Sequence, residues 1–192
     1  MSYSKDDEVK KAILDAALRV FRKWGLNKTT MEDVAREAGK GKSTLYYYYK
    51  SKEEIFYAVI ILEMQLILEK VKKSIEGIVP GKEKLRQYIV SSLTEIKNAT
   101  SIYSIVHDEM RGNRNLVDKL NEVFNSLEAD FIKDILHQGV ANNEFCFADE
   151  KELDLAAKVI IGIIHSMELY LFMENTDIEQ IDMAAKLIAN GI

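Results

Sequence analysis

The sequence predicts an all-α protein: an N-terminal three-helix helix-turn-helix domain joined to a longer helical body, about nine helices in total. Three observations predict this. The 192 residues include one proline and nine glycines, so residues that break helices are scarce. Apolar residues recur at spacings of three and four, as one face of a helix requires. The composition, 47% hydrophobic and 30% charged, is typical of a folded globular chain.

The first four helices follow from local signals. An apolar stripe predicts the first helix, which ends at Gly25: Ile13, Ala16, Ala17, Val20, Phe21 and Trp24. Either Thr29 with Glu32 or Thr30 with Asp33 caps the second helix, which ends at Gly39. A short third helix is predicted over 42–48. The sequence Ser-Lys-Glu-Glu from Ser51 is a capping box that begins a long fourth helix.

The second part of the chain begins at one strong break, Pro80-Gly81. Apolar periodicity then predicts five helices, separated by short connectors and by a longer one over 139–149. The predicted helices span about 82–97, 102–111, 115–140, 150–174 and 178–189.

Charge is distributed unevenly along the chain. Residues 1–50 hold eleven Lys and Arg against seven Asp and Glu, a net charge of +4. Residues 51–192 hold fifteen against twenty-four, a net charge of −9. A basic module on an acidic body indicates that the first part meets a polyanion, although a solvated charged face is the alternative.

Several classes of function are disfavoured. The single cysteine, Cys146, excludes an intramolecular disulfide, and the three histidines are too far apart for a local metal motif. Residues 39–43, Gly-Lys-Gly-Lys-Ser, lack the upstream glycine of a phosphate-binding loop, and no nucleophile stands beside a base. We therefore expect no enzyme, cofactor or metal. Without a signal peptide or an apolar run of about 18 residues, we expect a cytoplasmic protein that does not contact a membrane.

The first sixty residues carry a motif at fixed spacing. Its members are Ile13-Leu14-x-Ala16-Ala17, Phe21, Gly25, Thr29-Thr30, Val34-Ala35, Ala38-Gly39 and Ser43-Thr44-Leu45-Tyr46-x-Tyr48-Tyr49-x-Ser51-Lys52-Glu53. This pattern, over about residues 9–56, resembles the DNA-binding domain of the TetR family of transcriptional regulators. Lys40 and Gly41 depart from the family's pattern, in which a small apolar residue and a serine are usual. The resemblance implies a DNA-binding domain over 1–52 and a ligand-binding and dimerisation domain over 53–192.

The resemblance and the chemistry together nominate DNA contacts. The candidates are Thr30, Lys42, Ser43, Thr44, Tyr46, Tyr47, Tyr48 and Lys52. Lys42, Ser43, Thr44 and Tyr47 lie early on the predicted recognition helix, where side chains reach base edges. Thr30, Tyr48 and Lys52 are similar to the family's phosphate contacts. Tyr46 is either another phosphate donor or a residue that packs inward.

The body contains polar groups on apolar helices. Tyr103 and His107 share a face of the helix predicted over 102–111, and Asp154, Lys158, His165 and Glu168 form a stripe on the helix over 150–174. We expect Tyr103, His107 and His165 to line a cavity that binds a small molecule. The alternatives are a surface ion pair between Asp154 and Lys158, and a histidine satisfied within the core. An acidic stripe would favour a cationic ligand.

The helix over 150–174 is apolar on most sides and needs burial on most sides. With the helix over 178–190 it predicts a two-fold homodimer, for which Ile164 and Leu171 are candidate interface residues. A helix buried only within its own chain is the alternative.

These features predict a homodimeric regulator that binds a palindromic operator in double-stranded DNA. We expect a repressor that a small-molecule effector releases from DNA. The competing hypothesis is a DNA-binding protein whose body recruits a protein partner instead; an apolar cavity favours the first and an exposed patch on a solid core the second.

Overall fold

The computed structural model describes residues 4–99, 105, 114–173 and 177–191, which form eight α-helices and no strand. The helices are α1 (Lys5–Lys28), α2 (Met31–Glu37), α3 (Lys42–Tyr48), α4 (Lys52–Ser74), α5 (Gly81–Asn98), α6 (Arg114–Ala141), α7 (Glu150–Met173) and α8 (Ile178–Gly191). The predicted all-α class is confirmed. The helix predicted over 102–111 lies outside the described residues except for Ile105, which is helical.

The chain divides into two compact units. The first comprises Met1–Met64 and Thr100–Leu120, and the second comprises Gln65–Ala99 and Asn121–Ile192. The division falls within α4, after Met64, and within α6, after Leu120.

The first unit has its core between α1 and the helices that follow it. Phe21 of α1 and Phe56 of α4 are fully buried, with ring centroids 5.3 Å apart in an edge-to-face arrangement. Trp24, predicted to share the apolar stripe, is instead 55% exposed, and the ammonium of Lys23 lies over its ring. The reason is Gly25: its φ of 73° bends the chain there, so Leu26 fills the core in place of Trp24.

The second unit is built around α5, which packs against both α7 and α8. Its buried stripe is Leu85, Tyr88, Ile89, Ser92, Leu93 and Ile96, which recurs at helical spacing. Arg86 joins α5 to α8 because its guanidinium pairs with Asp182 as well as with Glu83.

The α5–α6 junction depends on two glycines. A Cβ at Gly81 would meet the backbone of Gly139, and a Cβ at Gly139 would meet the ring of Phe145. The carboxylate of Glu144 accepts from the backbone N–H groups of Gly81 and Lys82 at 3.0 and 2.9 Å, and so caps the start of α5. None of the described helices is both long and apolar enough to cross a membrane.

Candidate functional site

The α2–α3 segment forms a tight turn that presents α3 on the surface. Gly39 has a φ of 62°, which glycine adopts without strain, and the backbone N–H of Lys40 donates back to the carbonyl of Ala35 at 2.9 Å. Gly41 is the N-cap of α3. Leu45 and Tyr49 are buried beneath the helix, so α3 is anchored by one face and exposes the other.

The exposed face of α3 consists of four side chains: Lys42, Ser43, Tyr46 and Tyr47. Tyr47 is 72% exposed, an unusual position for so large an aromatic ring. Lys42 and Tyr46 are four residues apart, as are Ser43 and Tyr47, so all four side chains lie on one side of the helix. A short helix with such a face can enter a major groove, and its hydroxyl and ammonium groups can reach base edges.

Lys42 is paired in the free protein. Its ammonium contacts the carboxylate of Glu32 at the start of α2. The pairing lowers the pKa of Glu32 and raises that of Lys42, mainly through the hydrogen bond between them. Both side chains are exposed, so the pair is weak and DNA can exchange for it.

Tyr48 is half-buried next to this face. Its ring lies edge-to-face with that of Tyr47, at 4.9 Å between centroids. Its hydroxyl donates to the carboxylate of Asp6 at 2.8 Å, which raises the pKa of Tyr48. The Tyr48 hydroxyl, which is predicted to contact a phosphate, is therefore hydrogen-bonded to the carboxylate of Asp6 in α1. Thr44, also half-buried, lies one turn earlier on α3.

Thr30 caps α2, which settles the choice between the two threonines. Its hydroxyl accepts from the backbone N–H of Asp33 at 3.2 Å, and the backbone N–H of Thr30 donates to the Asp33 carboxylate at 3.0 Å. Thr30 remains exposed. Thr29 is buried and donates its hydroxyl to the carbonyl of Gly25.

Lys52 has a role that the sequence did not predict. Its ammonium donates to the carbonyls of Leu26, Asn27 and Thr29 at 2.9, 3.2 and 3.1 Å. These carbonyls lie at the end of α1, where the helix dipole favours a cation. An ammonium has three donors, so all three are used within the protein. Lys52 thereby holds the α1–α2 junction to the start of α4.

In the body, the predicted polar stripe separates into three environments. Asp154 pairs with Lys133 of α6 at 2.5 Å, and Lys158 is exposed. His165 and Glu168 face the interior instead. Tyr103 and His107 lie outside the described residues, so their predicted place in a cavity stays a prediction.

His165 and Glu168 belong to a group of four side chains that we call the polar cluster: Tyr88 of α5, Glu128 of α6, and His165 and Glu168 of α7. The imidazole Nε2 of His165 lies 3.3 Å from the carboxylate Oε2 of Glu128. The Tyr88 hydroxyl, these two atoms and the Glu168 Oε1 atom are all shielded from solvent, and Glu128 interacts with both Tyr88 and His165.

Burial shapes the ionisation of the polar cluster. Burial raises the pKa of Glu168 to about 8. The charge of Glu128 also raises this pKa, whereas His165 lowers it by a smaller amount. Burial alone lowers the pKa of His165, but the hydrogen-bonding interaction with Glu128 and the charges of both glutamates raise it overall. Burial also raises the pKa of Tyr88 well above its usual value. Near neutral pH, Glu168 is mostly uncharged.

The sequence prediction named His165 but missed Tyr88 and Glu128. Each carries a visible signal. Tyr88 shares the apolar stripe of α5, where a hydroxyl needs a partner. Glu128 lies four residues before the buried Ile132, so it places a carboxylate on the apolar side of α6.

Two helices of the second unit expose apolar side chains. On α7 these are Leu155, Val159 and Ile163, spaced by four residues, and on α8 they are Met183 and Leu187. Val159 and Ile163 border a shallow groove with Gly162, Ser166 and Met167. Ile164, a predicted interface residue, is fully buried in the core of its own chain, because it lies one residue round the helix from Ile163. The side chain of Leu171 lies outside the described part of the chain.

Within the described residues, no group of His, Cys, Asp and Glu side chains has the arrangement of a metal site. The fold and the exposed face of α3 instead define a DNA-binding regulator of the helix-turn-helix class.

Comparison with known proteins gives the family. Residues 13–59 match the bacterial regulatory proteins of the tetR family, and residues 62–190 match the family described as YsiA-like protein, C-terminal region. The chain belongs to the TetR family of transcriptional regulators. It is therefore a DNA-binding regulator with a helix-turn-helix head and a ligand-binding body.

Three comparisons illustrate the relationship. The transcriptional regulator QacR of Staphylococcus aureus is 27% identical over 96% of this chain and 98% of its own. The fatty acid metabolism regulator protein of Bacillus subtilis is 26% identical over 79% of this chain and 77% of its own. The solved structure of FadR from Bacillus subtilis in complex with stearoyl-CoA covers 95% of this chain and 98% of its own, with a TM-score of 0.74 at 24% identity, and shows the same fold.

Proposed function

We propose that this regulator is a homodimeric repressor that reads a palindromic operator through the exposed face of α3 and is released by a small molecule bound in its body. The observation that supports this most strongly is the α3 face. Lys42, Ser43, Tyr46 and Tyr47 have little structural reason to be together on the surface, whereas Leu45 and Tyr49 anchor the same helix.

Base contacts come from the start of α3. Lys42 exchanges Glu32 for the O6 and N7 atoms of guanine, and Ser43 donates its hydroxyl to a base or a phosphate. Thr44 contacts a thymine methyl group. The exposed rings of Tyr46 and Tyr47 lie against the groove wall.

Phosphate contacts surround this centre. Thr30 presents its exposed hydroxyl to a phosphate at the start of α2. Tyr48 contacts a phosphate after its hydroxyl leaves Asp6. Lys52 is a further phosphate contact only if one of its carbonyl bonds is given up.

We propose that residues 1–52 bind DNA and that residues 53–192 bind the effector and form the dimer. Exposed apolar rows on α7 and α8 support a dimer through the helices at 150–174 and 178–190, because such rows are buried in stable proteins. The two recognition helices would then reach successive major grooves, about 34–36 Å apart.

The effector is proposed to be amphipathic. Tyr103, His107 and His165 are its proposed polar contacts, and the rest of the body supplies apolar side chains. The relative from Bacillus subtilis is named for fatty acid metabolism, which agrees with an effector that has an apolar chain. An effector that binds more tightly to a conformation unable to bind DNA increases the population of that conformation, and so lowers the affinity of the protein for its operator. We place this regulator in the cytoplasm, where its DNA is.

The test begins with duplexes selected from a random pool by the wild-type protein. Lys42→Ala should lose preference for guanine at particular base pairs, by about 1–3 kcal/mol per lost bidentate contact, and Tyr47→Ala should lower the affinity for the selected duplexes. Lys151→Ala removes an exposed charge from α7 and serves as the control. Unchanged affinity and base preference in both α3 variants would contradict the proposal.

A further inference from the structure

Two of the side chains proposed to contact DNA are held by carboxylates of the protein itself. The Lys42 ammonium contacts Glu32 of α2, and the Tyr48 hydroxyl donates to the carboxylate of Asp6, in the first turn of α1, at 2.8 Å. Asp6 and Tyr48 are 42 positions apart in the sequence, so only the fold of the first unit brings them together. The free protein therefore keeps its own carboxylates at two places where the proposed function puts DNA.

Asp6 has no part in the cap of α1. The hydroxyl of Ser4 accepts from the backbone N–H of Asp7 at 3.2 Å, and the carboxylate of Asp7 accepts from the backbone N–H of Ser4 at 3.2 Å. Asp7 is thus the acidic partner of the capping box, and Asp6 is directed to Tyr48 instead. Because Asp6 is exposed, water can replace Tyr48 as its partner at little cost to the fold.

The Tyr48 hydroxyl has a single hydrogen to donate, so it can donate to Asp6 or to a phosphate but not to both. Asp6 raises the pKa of Tyr48, mainly through their hydrogen bond, and the hydroxyl keeps its proton at neutral pH. A phosphate within hydrogen-bonding distance of the same hydroxyl would lie about 5 Å from the carboxylate. Two like charges about 5 Å apart in water lower affinity about fourfold.

From this geometry we propose that Asp6 limits the affinity of the regulator for DNA: it is a positioning residue that acts through Tyr48 and competes with a phosphate for the hydroxyl. The inference rests on the proposed function, because it assumes that Tyr48 contacts a phosphate. A phosphate contact carries no base information, so Asp6 lowers affinity for all sequences by the same factor. In a dimer this factor applies twice, once in each DNA-binding domain.

The experiment measures the affinity of the full-length protein by fluorescence anisotropy, at one fixed salt concentration. The probes are a selected duplex and the same duplex with one base pair changed. Asp6→Asn keeps an oxygen that can accept from Tyr48 but removes the charge. We expect it to raise affinity for both duplexes by the same factor, about tenfold, from about fourfold in each of two domains. Unchanged or lower affinity, or a gain confined to one duplex, would overturn the inference.

Glu8→Gln is the matched control. It removes one negative charge from the same end of α1, and Glu8 is exposed and lies about 200° around the helix from Asp6. Both substitutions are on the surface, so both should keep the fold. Glu8→Gln should change DNA affinity by less than about twofold, because its charge is screened from the phosphate. A gain equal to that of Asp6→Asn would be an effect of net charge and would overturn the role assigned to Asp6.

Tyr48→Phe separates the inference from the proposed function. If Tyr48 contacts a phosphate, this variant alone should bind the selected duplex more weakly than wild type. In the Tyr48→Phe background, the gain from Asp6→Asn should be at least about threefold smaller than in wild type. An equal gain in both backgrounds would overturn the inference while the DNA-binding proposal stands. If Tyr48→Phe binds as tightly as wild type, the phosphate contact fails and the inference fails with it, whereas base reading by Lys42 stands.

Discussion

Replacing Lys52 by methionine tests whether this lysine is a structural residue or a DNA contact. The substitution keeps the apolar stem but removes three hydrogen bonds to the carbonyls of Leu26, Asn27 and Thr29. A hydrogen bond to a charged group contributes about 1.5–3 kcal/mol, but these three share one half-buried ammonium and the carbonyls can bind water in the variant. We therefore expect a loss of about 2–3 kcal/mol in the free energy of unfolding.

The assay is urea and thermal unfolding followed by far-UV circular dichroism. A loss of this size should lower the midpoint of thermal unfolding by about 4–12 °C in a chain of this length. Lys50→Met is the matched control, because the Lys50 ammonium is exposed and makes one bond of 3.3 Å to the carbonyl of Tyr46. Its stability should change by less than about 0.5 kcal/mol.

DNA binding gives the second readout. If Lys52 is structural, the slope of log affinity against log salt should be the same for Lys52→Met and wild type. Wild-type stability in Lys52→Met, combined with a slope that falls by about one unit, would refute the structural role and make Lys52 a phosphate contact.

Three further predictions follow. Glu32→Gln frees Lys42 and removes a negative charge near DNA, so operator affinity measured by fluorescence anisotropy should rise about threefold to tenfold; a decrease would contradict the assigned pairing. Val159→Glu should give a monomer by light scattering and cost at least about a hundredfold in operator affinity, whereas the neighbouring exposed Lys158→Glu should remain dimeric. The raised pKa of Glu168 means that the folded chain binds this proton more tightly than the unfolded chain, so wild-type stability should fall as pH rises from about 4.5 to 8; a Glu168→Gln variant with the same pH dependence would contradict this.

The helices of the first unit were predictable because their signals are local. Capping residues and glycines act within a few positions, and the structure confirms a capping box at Thr30 and a left-handed Gly39. Trp24 was predicted wrongly because a periodic stripe does not show where the core ends. Gly25 turns the chain one residue later, and this turn decides which side chain is buried.

The body was less predictable because its important contacts join distant parts of the sequence. Periodicity placed His165 on an apolar helix, but Glu128 lies 37 positions earlier, and only the packing of α6 on α7 brings the two together. The interface prediction shows a similar limit. Ile163 and Ile164 are the same residue type in adjacent positions. Ile163 is exposed and Ile164 is buried because their side chains project from different faces of α7.

Operator recognition by a two-fold dimer is tested most directly by the dependence of binding on both half-sites. The measurement compares wild-type affinity for a selected palindromic duplex with affinity for the same duplex in which one half-site is scrambled, at one fixed salt concentration. A two-fold dimer that reads DNA through α3 predicts a loss of at least about a hundredfold, because one of two linked contacts becomes non-specific. Equal affinity for the two duplexes would contradict a dimer that reads two half-sites.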